Sequence, residues 1–134
     1  VLDRLGSEHA MVVHSEDGLD EISVYAKTHV AEVKEGSIRE YWLEPGDLDL
    51  RSFNFQNLKI ENSQQSLELI KRVYRSESEE GKNMILINSG AAIYLSGIVD
   101  SIANGVQLAR DALASGAAMV KLREFCEFTQ RLGN

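Results

Sequence analysis

The residues best suited to chemistry lie in one short stretch, HSEDGLDEIS, at positions 14–23. It places four carboxylates, Glu16, Asp17, Asp20 and Glu21, around a glycine, directly after the apolar run AMVVH. Proteins usually hold Mg²⁺ with one or two carboxylates together with substrate phosphates, because this ion prefers oxygen ligands. The adjacent pair Asp20 and Glu21 therefore suits a complex of a metal ion with a polyphosphate.

The same stretch also has a simpler interpretation. SEDG is an ordinary turn sequence, and Asp20 or Glu21 can favourably charge the first turn of a short helix at DEIS. Charged clusters in loops are more often solvated than functional, so the pattern alone favours a charged turn over a metal site. The ligand series of a calcium-binding EF-hand loop does not occur, which excludes that class.

Other residue types give weaker signals for chemistry. His14 closes the apolar run and can face a site, but a histidine there is more often structural, and His9 and His29 have no partner at metal-ligand spacing. Cys126 lies among apolar residues at helical spacing, so we expect a buried, inert thiol. Neither GXGXXG nor GXXXXGK[ST] occurs in the sequence. We therefore predict no histidine-based metal site, no cysteine nucleophile and no phosphate loop in this segment.

The bulk composition excludes several partners. A length of 134 residues with 43% hydrophobic content suits one compact domain. The 14 basic and 21 acidic residues give a net charge of −7 without a basic cluster, so we expect no nucleic-acid partner. The most apolar stretch, 84–99, is interrupted by polar residues and glycines, so we expect a core helix and no membrane partner. A single cysteine suits a reducing compartment, which predicts a cytoplasmic location.

The elements around the acidic stretch can be predicted from pattern. HAMVVH at 9–14 is typical of a strand covered on both faces, as in parallel sheets, and ligands collect beyond the carboxyl ends of such strands. Residues 28–43 predict a hairpin that turns at KEGS, where Gly36 can supply a positive φ, and Pro45 ends it. Gly6 is expected to cap a helical end at 2–8. We expect little structure from 46 to 63.

Helical patterns fill the chain after Ser63. The first helix has a stripe of Leu67, Ile70 and Tyr74, and the second, about 83–96, has small central residues and should be the most buried. The third begins at a Ser101 cap and ends at SG. Two further stripes are predicted, in the third and last helices: Ile102, Val106, Ala109 and Leu113; and Leu122, Phe125 or Cys126, Phe128 and Leu132. The order of elements favours α/β or α+β, and we adopt α/β: part of a mixed sheet, with a buried strand and a hairpin, packed with about four helices.

Three segments together resemble a known family. AMVVHSEDGLDEIS, THVAEVKEGSIREYWLEPGDLDL and NSGAAIYLSGIVDSIANGVQLARDALASGAAMVKL, with the spacing between them, closely resemble the C-terminal part of the anthranilate phosphoribosyltransferase family. The resemblance implies that residues 1–134 form the C-terminal part of a phosphoribosyltransferase α/β domain. It also implies transfer of a phosphoribosyl group from phosphoribosyl pyrophosphate to anthranilate in tryptophan biosynthesis, with Mg²⁺ as cofactor.

The resemblance assigns roles to only two residues. In the family, the adjacent Asp and Glu of the DGLDE motif bind magnesium, which maps onto Asp20 and Glu21; they would bind the substrate through the metal. Glu16 and Asp17 become turn formers, and no catalytic residue can be carried over.

The sequence departs from the family pattern in places. Ser15 stands where many relatives have glycine. More common relatives also carry a Gly-Gly-Asp element before the Glu-Asn of the next helix, where this sequence has NLKIEN at 57–62. The chain starts at Val1 and its first methionine is Met11, so we expect a piece of a longer protein that is inactive alone, since the family's phosphate loop and anthranilate contacts come earlier. Exposed strand edges of such a piece would favour a homo-oligomer.

Two alternative functions stay open on the sequence alone. One is a related pyrimidine nucleoside phosphorylase, since DGLDE alone also fits neighbouring members of the same fold group. The other is a non-enzymatic acidic module that binds a protein partner, with the carboxylate loop as a solvated turn.

Overall fold

The computed structural model describes residues 1–52 and 58–133. The part of the chain at 53–57, including the first residue of NLKIEN, lies outside the described residues. Within the described residues the regular elements are three strands and four helices, with short 3₁₀ turns at Asp3–Leu5, before the first strand, and at Pro45–Leu48, after the third. The strands are β1 (His9–Ser15), β2 (Thr28–Lys34) and β3 (Ser37–Leu43), and the helices are α1 (Ser63–Tyr74), α2 (Glu79–Leu95), α3 (Ile102–Ala114) and α4 (Ala117–Leu132). The predicted α/β fold with a hairpin and four helices is confirmed.

The strands form one antiparallel sheet in the order β1-β2-β3. Its register runs from His9 opposite Lys34 to Ser15 opposite Thr28. Alternate side chains point to opposite faces, so one face meets the helices while the other carries Val12, which is 58% exposed. The expectation that β1 is covered on both faces is therefore wrong within the described ranges, where the sheet also has no parallel pair of strands.

The hairpin turn follows the prediction. Glu35 and Gly36 both have positive φ, +50° and +73°, as a two-residue turn of type I′ requires. Such a turn matches the twist of the flanking strands, which sets the register of β2 against β3. The predicted Gly6 cap is also confirmed, with φ +83° and its N–H bonded to the Asp3 carbonyl.

Helices α2 and α3 pack backbone against backbone. A Cβ atom at Gly105 would lie 2.1 Å from the Gly90 carbonyl oxygen, and one at Gly90 would lie 2.7 Å from the Val106 nitrogen. The small residues at the centre of α2 thus permit the close approach that the sequence predicts. Ser101 caps α3 by accepting a hydrogen bond from the Asn104 N–H, as expected.

Two helix faces differ from the prediction. In α1 the buried residue is Val73, which faces Gly81 of α2, whereas the predicted stripe residue Leu67 is 37% exposed. In α4, Phe125 is 62% exposed and Cys126 is exposed, so the expectation of a buried thiol is wrong. Apolar spacing alone identifies a helix, but the neighbouring element decides which face it buries, and α4 has no buried residue.

None of the described helices is both long enough and apolar enough to cross a membrane.

Candidate functional site

The acidic loop between β1 and β2 starts with a tight turn. Gly18 has φ +88°, and its N–H donates to the Ser15 carbonyl at 2.9 Å. The Ser15 N–H donates to the Leu19 carbonyl at 3.2 Å, and the Glu16 N–H donates to the Lys27 carbonyl at 3.1 Å. The backbone on the β1 side of the loop is therefore held by hydrogen bonds as far as Leu19.

Asp17 organises the loop from within. Its carboxylate accepts hydrogen bonds from the Ser23 hydroxyl at 2.6 Å and from the Leu19 N–H at 3.3 Å. Ser23 is fully buried, and its oxygen also accepts from the Tyr25 N–H at 2.9 Å. Partial burial opposes ionisation of Asp17, but the hydrogen bonds from Ser23 and Ser15 outweigh it and hold the pKa of this carboxyl below its usual value. Asp17 is thus the turn former that the resemblance implies.

The far end of the loop is tied to helix α2. The Asn88 Oδ1 atom accepts from the Ile22 N–H at 3.0 Å, and its Nδ2 atom donates to the Ile22 carbonyl at 2.9 Å. Ile22 is only 3% exposed and belongs to the main apolar core with Leu86 and Ile87 of the same helix. The chain therefore returns to the core immediately after Glu21.

Asp20 and Glu21 lie between these two anchored points. Both are exposed, and neither side chain forms a hydrogen bond or an ion pair with another residue of 1–52 or 58–133. Glu16, by contrast, pairs with Lys27 at 3.2 Å. Of the four carboxylates in the loop, the two that the sequence singles out are thus the two without a partner among the described residues.

The donor set limits what this segment can bind alone. Within the described ranges there is no group of three or more His, Cys, Asp and Glu side chains that could hold a metal ion. Two carboxylates with the remaining ligands from phosphate and water match the way proteins usually bind Mg²⁺, so the residues present fit that ion. His14 lies exposed at the end of β1.

A cavity of about 350 Å³ opens beside the loop. Glu21 stands at it, and the rest of its lining is mainly apolar, with Leu19, Leu69, Met84 and Ile85 among the residues. The exposed carboxylate at position 21 thus has an apolar surface next to it.

Sequence reasoning missed a buried carboxylate at the other end of the sheet. Glu32 is 1% exposed, and accepts hydrogen bonds from the Tyr94 hydroxyl at 2.7 Å and the Tyr41 hydroxyl at 3.1 Å. His9 Nε2 lies 2.9 Å and Arg39 3.4 Å from its oxygens. The period-two register could have revealed it, since Glu32 follows two buried positions on the inward face of β2. This cluster joins sheet to helix and is separate from the acidic loop.

Comparisons with known proteins agree with this fold. The Glycosyl transferase family, a/b domain, matches residues 1–119, and the chain belongs to this family. It is 47% identical to the anthranilate phosphoribosyltransferase of Cellvibrio japonicus, over 98% of this chain and 40% of that protein. It is 50% identical to the enzyme of that name from Pseudomonas putida, over 96% and 38%. The predicted family resemblance is confirmed.

Solved structures show the same similarity. The crystal structure of anthranilate phosphoribosyltransferase from Thermus thermophilus superposes with a TM-score of 0.82 at 32% identity, over 96% of this chain and 38% of that one. The Saccharomyces cerevisiae enzyme, solved in complex with PRPP and Mg, shares the fold at 21% identity, with a TM-score of 0.73 over 86% and 33%. The chain spans about two fifths of the length of the curated relatives it matches.

Proposed function

We propose that this chain is part of an anthranilate phosphoribosyltransferase, and that the whole protein transfers a phosphoribosyl group to anthranilate in tryptophan biosynthesis. The observation that carries the proposal is the identity of 47% and 50% to two proteins of that name over nearly the entire chain. Residues 1–134 are assigned to its α/β domain. The phosphate loop and the contacts to anthranilate are assigned to the rest of the enzyme, since this sequence contains no glycine-rich phosphate motif.

In this reaction the leaving group, pyrophosphate, is the part that most needs stabilisation. The anthranilate nitrogen forms a bond to the anomeric carbon of the ribose while the bond from that carbon to the pyrophosphate oxygen breaks. Pyrophosphate leaves with the electron pair, and the nitrogen loses a proton. Because negative charge grows on the leaving group, positive charge placed there in advance stabilises the transition state.

Asp20 and Glu21 are the residues that would hold magnesium for this purpose. Both carboxylates are exposed and have no partner within the described parts of the chain. A bound Mg²⁺ would supply the positive charge that the pyrophosphate oxygens require. The S. cerevisiae relative has been solved with PRPP and Mg together, which supports the use of this ion. In this proposal the two carboxylates anchor charge and do not act as nucleophiles.

Neither alternative function gains support from the relatives named above. A pyrimidine nucleoside phosphorylase would need a different acceptor, whereas both curated relatives carry the name of the anthranilate enzyme. The non-enzymatic acidic module is disfavoured for the same reason, because both curated relatives carry the name of an enzyme.

The test uses the complete gene product that contains these residues. Wild type is expected to consume anthranilate in the presence of phosphoribosyl pyrophosphate and Mg²⁺. The loss of anthranilate fluorescence measures this consumption. The double variant Asp20→Asn, Glu21→Gln should fold normally, require more Mg²⁺ and lose roughly 100-fold or more in kcat/KM for the phosphoribosyl donor.

A matched control separates the metal role from loop charge. Glu16→Gln removes one negative charge from the same loop but only an exposed ion pair, so kcat/KM should stay within about twofold of wild type. Wild type that does not turn over anthranilate would refute the proposed function. An unchanged Mg²⁺ requirement in the double variant would refute the assignment of the two carboxylates.

A further inference from the structure

We propose that Asn88 is a positioning residue that holds the Asp20–Glu21 pair in place for the metal–pyrophosphate complex. The inference rests on the proposed function and extends it to a helix residue that contacts neither substrate nor metal. Its basis is that one side chain binds both backbone polar groups of Ile22, the residue that follows the pair.

The amide of Asn88 acts as a short piece of backbone. Its Oδ1 atom accepts from the Ile22 N–H at 3.0 Å and its Nδ2 atom donates to the Ile22 carbonyl at 2.9 Å, as one strand does to another. The same nitrogen also donates to the Met84 carbonyl at 3.1 Å, one turn earlier in α2. The amide orientation is therefore determined at three points, and the loop is tied to the buried part of a helix.

The two carboxylates need such external positioning because they have none of their own. Neither forms a hydrogen bond or ion pair with another residue of the described ranges, so their placement depends on the backbone. On one side, Leu19 is held through its carbonyl by Ser15 and through its N–H by Asp17. On the other side, Asn88 holds Ile22. Asp20 and Glu21 thus form a two-residue bridge between fixed points.

Loss of the Asn88 side chain should change both the position of the Ile22 backbone and the affinity for the metal ion. Ile22 is only 3% exposed, so its N–H and carbonyl would be left buried without their partner, and the backbone would have to move to find water. Removal of groups that orient metal ligands typically weakens metal binding by about 10- to 100-fold. The carboxylates of Asp20 and Glu21 would then occupy a wider range of positions.

The experiment measures metal binding directly in the complete gene product. Asn88→Leu keeps the branched shape of the side chain and removes its hydrogen bonds to Ile22 and Met84. Because leucine is larger than asparagine, Asn88→Ala serves as a second variant in case the leucine does not fit. Free Mn²⁺ is followed by electron paramagnetic resonance in the presence of phosphoribosyl pyrophosphate. The expected result is a Kd for Mn²⁺ about 10- to 100-fold higher than in wild type, with faster amide hydrogen exchange in residues 19–22.

Tyr94→Phe is the matched control on the same helix. It removes a buried hydrogen bond of 2.7 Å to Glu32, away from the acidic loop. It should lower stability while leaving Mn²⁺ affinity and exchange at 19–22 unchanged.

The outcomes distinguish this inference from the proposed function. If wild type shows neither anthranilate turnover nor Mn²⁺ binding linked to the donor, the proposed function fails and the inference falls with it. If wild type binds Mn²⁺ and the Asn88 variants bind it equally well, the inference alone is overturned. The inference is also overturned if Tyr94→Phe weakens Mn²⁺ binding as much as the Asn88 variants do. It is overturned as well if neither Asn88 variant folds, since Asn88 would then act only in the core.

Discussion

The buried carboxylate of Glu32 offers a quantitative test of the packing between sheet and helix. One of its oxygens accepts from the Tyr94 hydroxyl at 2.7 Å and the other from the Tyr41 hydroxyl at 3.1 Å. Burial raises the pKa of Tyr41 most, and the negative charge of Glu32 raises it further. This hydroxyl therefore remains a donor throughout the accessible pH range. Glu32→Gln keeps the shape but removes the charge and replaces one acceptor with a donor.

The magnitude follows from the two tyrosine bonds. A hydrogen bond to a charged group contributes about 1.5–3 kcal/mol and one between neutral groups about 0.5–1.5 kcal/mol, so each tyrosine bond should lose about 1 kcal/mol. The hydroxyl of Tyr41 can rotate to accept from the new amide, whereas Arg39 is too exposed to add much. The hydrogen bond from His9 at 2.9 Å also weakens. We therefore expect Glu32→Gln to lower the free energy of unfolding by about 2–3 kcal/mol at neutral pH.

The lowered pKa of Glu32 predicts how the effect of Glu32→Gln on stability changes with pH. Burial opposes ionisation of Glu32, but hydrogen bonds from Tyr94, His9 and Tyr41 outweigh it and hold the pKa below the usual 4.5. The unfolded state therefore binds more protons than the folded state in this range. The contribution of Glu32 is complete above about 4.5 and is lost as the pH falls through the lower folded-state pKa. The stability difference between wild type and Glu32→Gln should shrink in acid.

The assay is urea unfolding of the complete protein at several pH values, with hydrogen exchange of a peptide that covers 28–43 as the local measurement. Glu40→Gln is the control, because Glu40 lies on β3 with 65% of its side chain exposed and should change stability by less than about 0.5 kcal/mol. An equal effect of the two variants, or a difference between wild type and Glu32→Gln that does not change with pH, would refute the reasoning.

Two further predictions concern glycines. Gly105→Ala should destabilise by about 1–3 kcal/mol despite the better helix propensity of alanine, because the new Cβ would lie 2.1 Å from the Gly90 carbonyl oxygen. The exposed position Ala92 on α2 provides the comparison, where Ala92→Gly should cost only about 1 kcal/mol, and equal midpoints of thermal unfolding for Gly105→Ala and wild type would contradict the close helix contact. Gly36→Ala should cost about 1–2 kcal/mol, because φ is +73° there. Glu35→Asn should instead raise the midpoint slightly, since asparagine accepts positive φ in this turn, and a lower midpoint would contradict the assigned turn type.

Much of the fold could be predicted from local signals. The KEGS turn, the Ser101 cap and the Gly6 cap all depend on the conformational preferences of a few adjacent residues, which act wherever the segment is placed. The faces of α1 and α4 could not be predicted in the same way. Val73 lies about a third of a turn around α1 from Leu67, and the position of α2 decides that the face of Val73 is buried while Leu67 is 37% exposed.

The candidate site, too, could be predicted only in part from the sequence. The composition of HSEDGLDEIS drew attention to the loop, and the family resemblance narrowed four carboxylates to Asp20 and Glu21. Their role as metal ligands stays a prediction until the variants are measured. That Glu16 is paired with Lys27, while Asp20 and Glu21 have no partner in the described ranges, can be seen only in three dimensions.

The sequence by itself determined the turns, the caps, the order of the elements and the acidic loop, because these depend on interactions between residues close together in the chain. The tertiary structure decided which groups support that loop. Ile22 and Asn88 are 66 residues apart, and Glu32 and Tyr94 are 62 apart. Neither pair has a local signature, because each forms only when helix α2 docks in one register against the sheet and its loop.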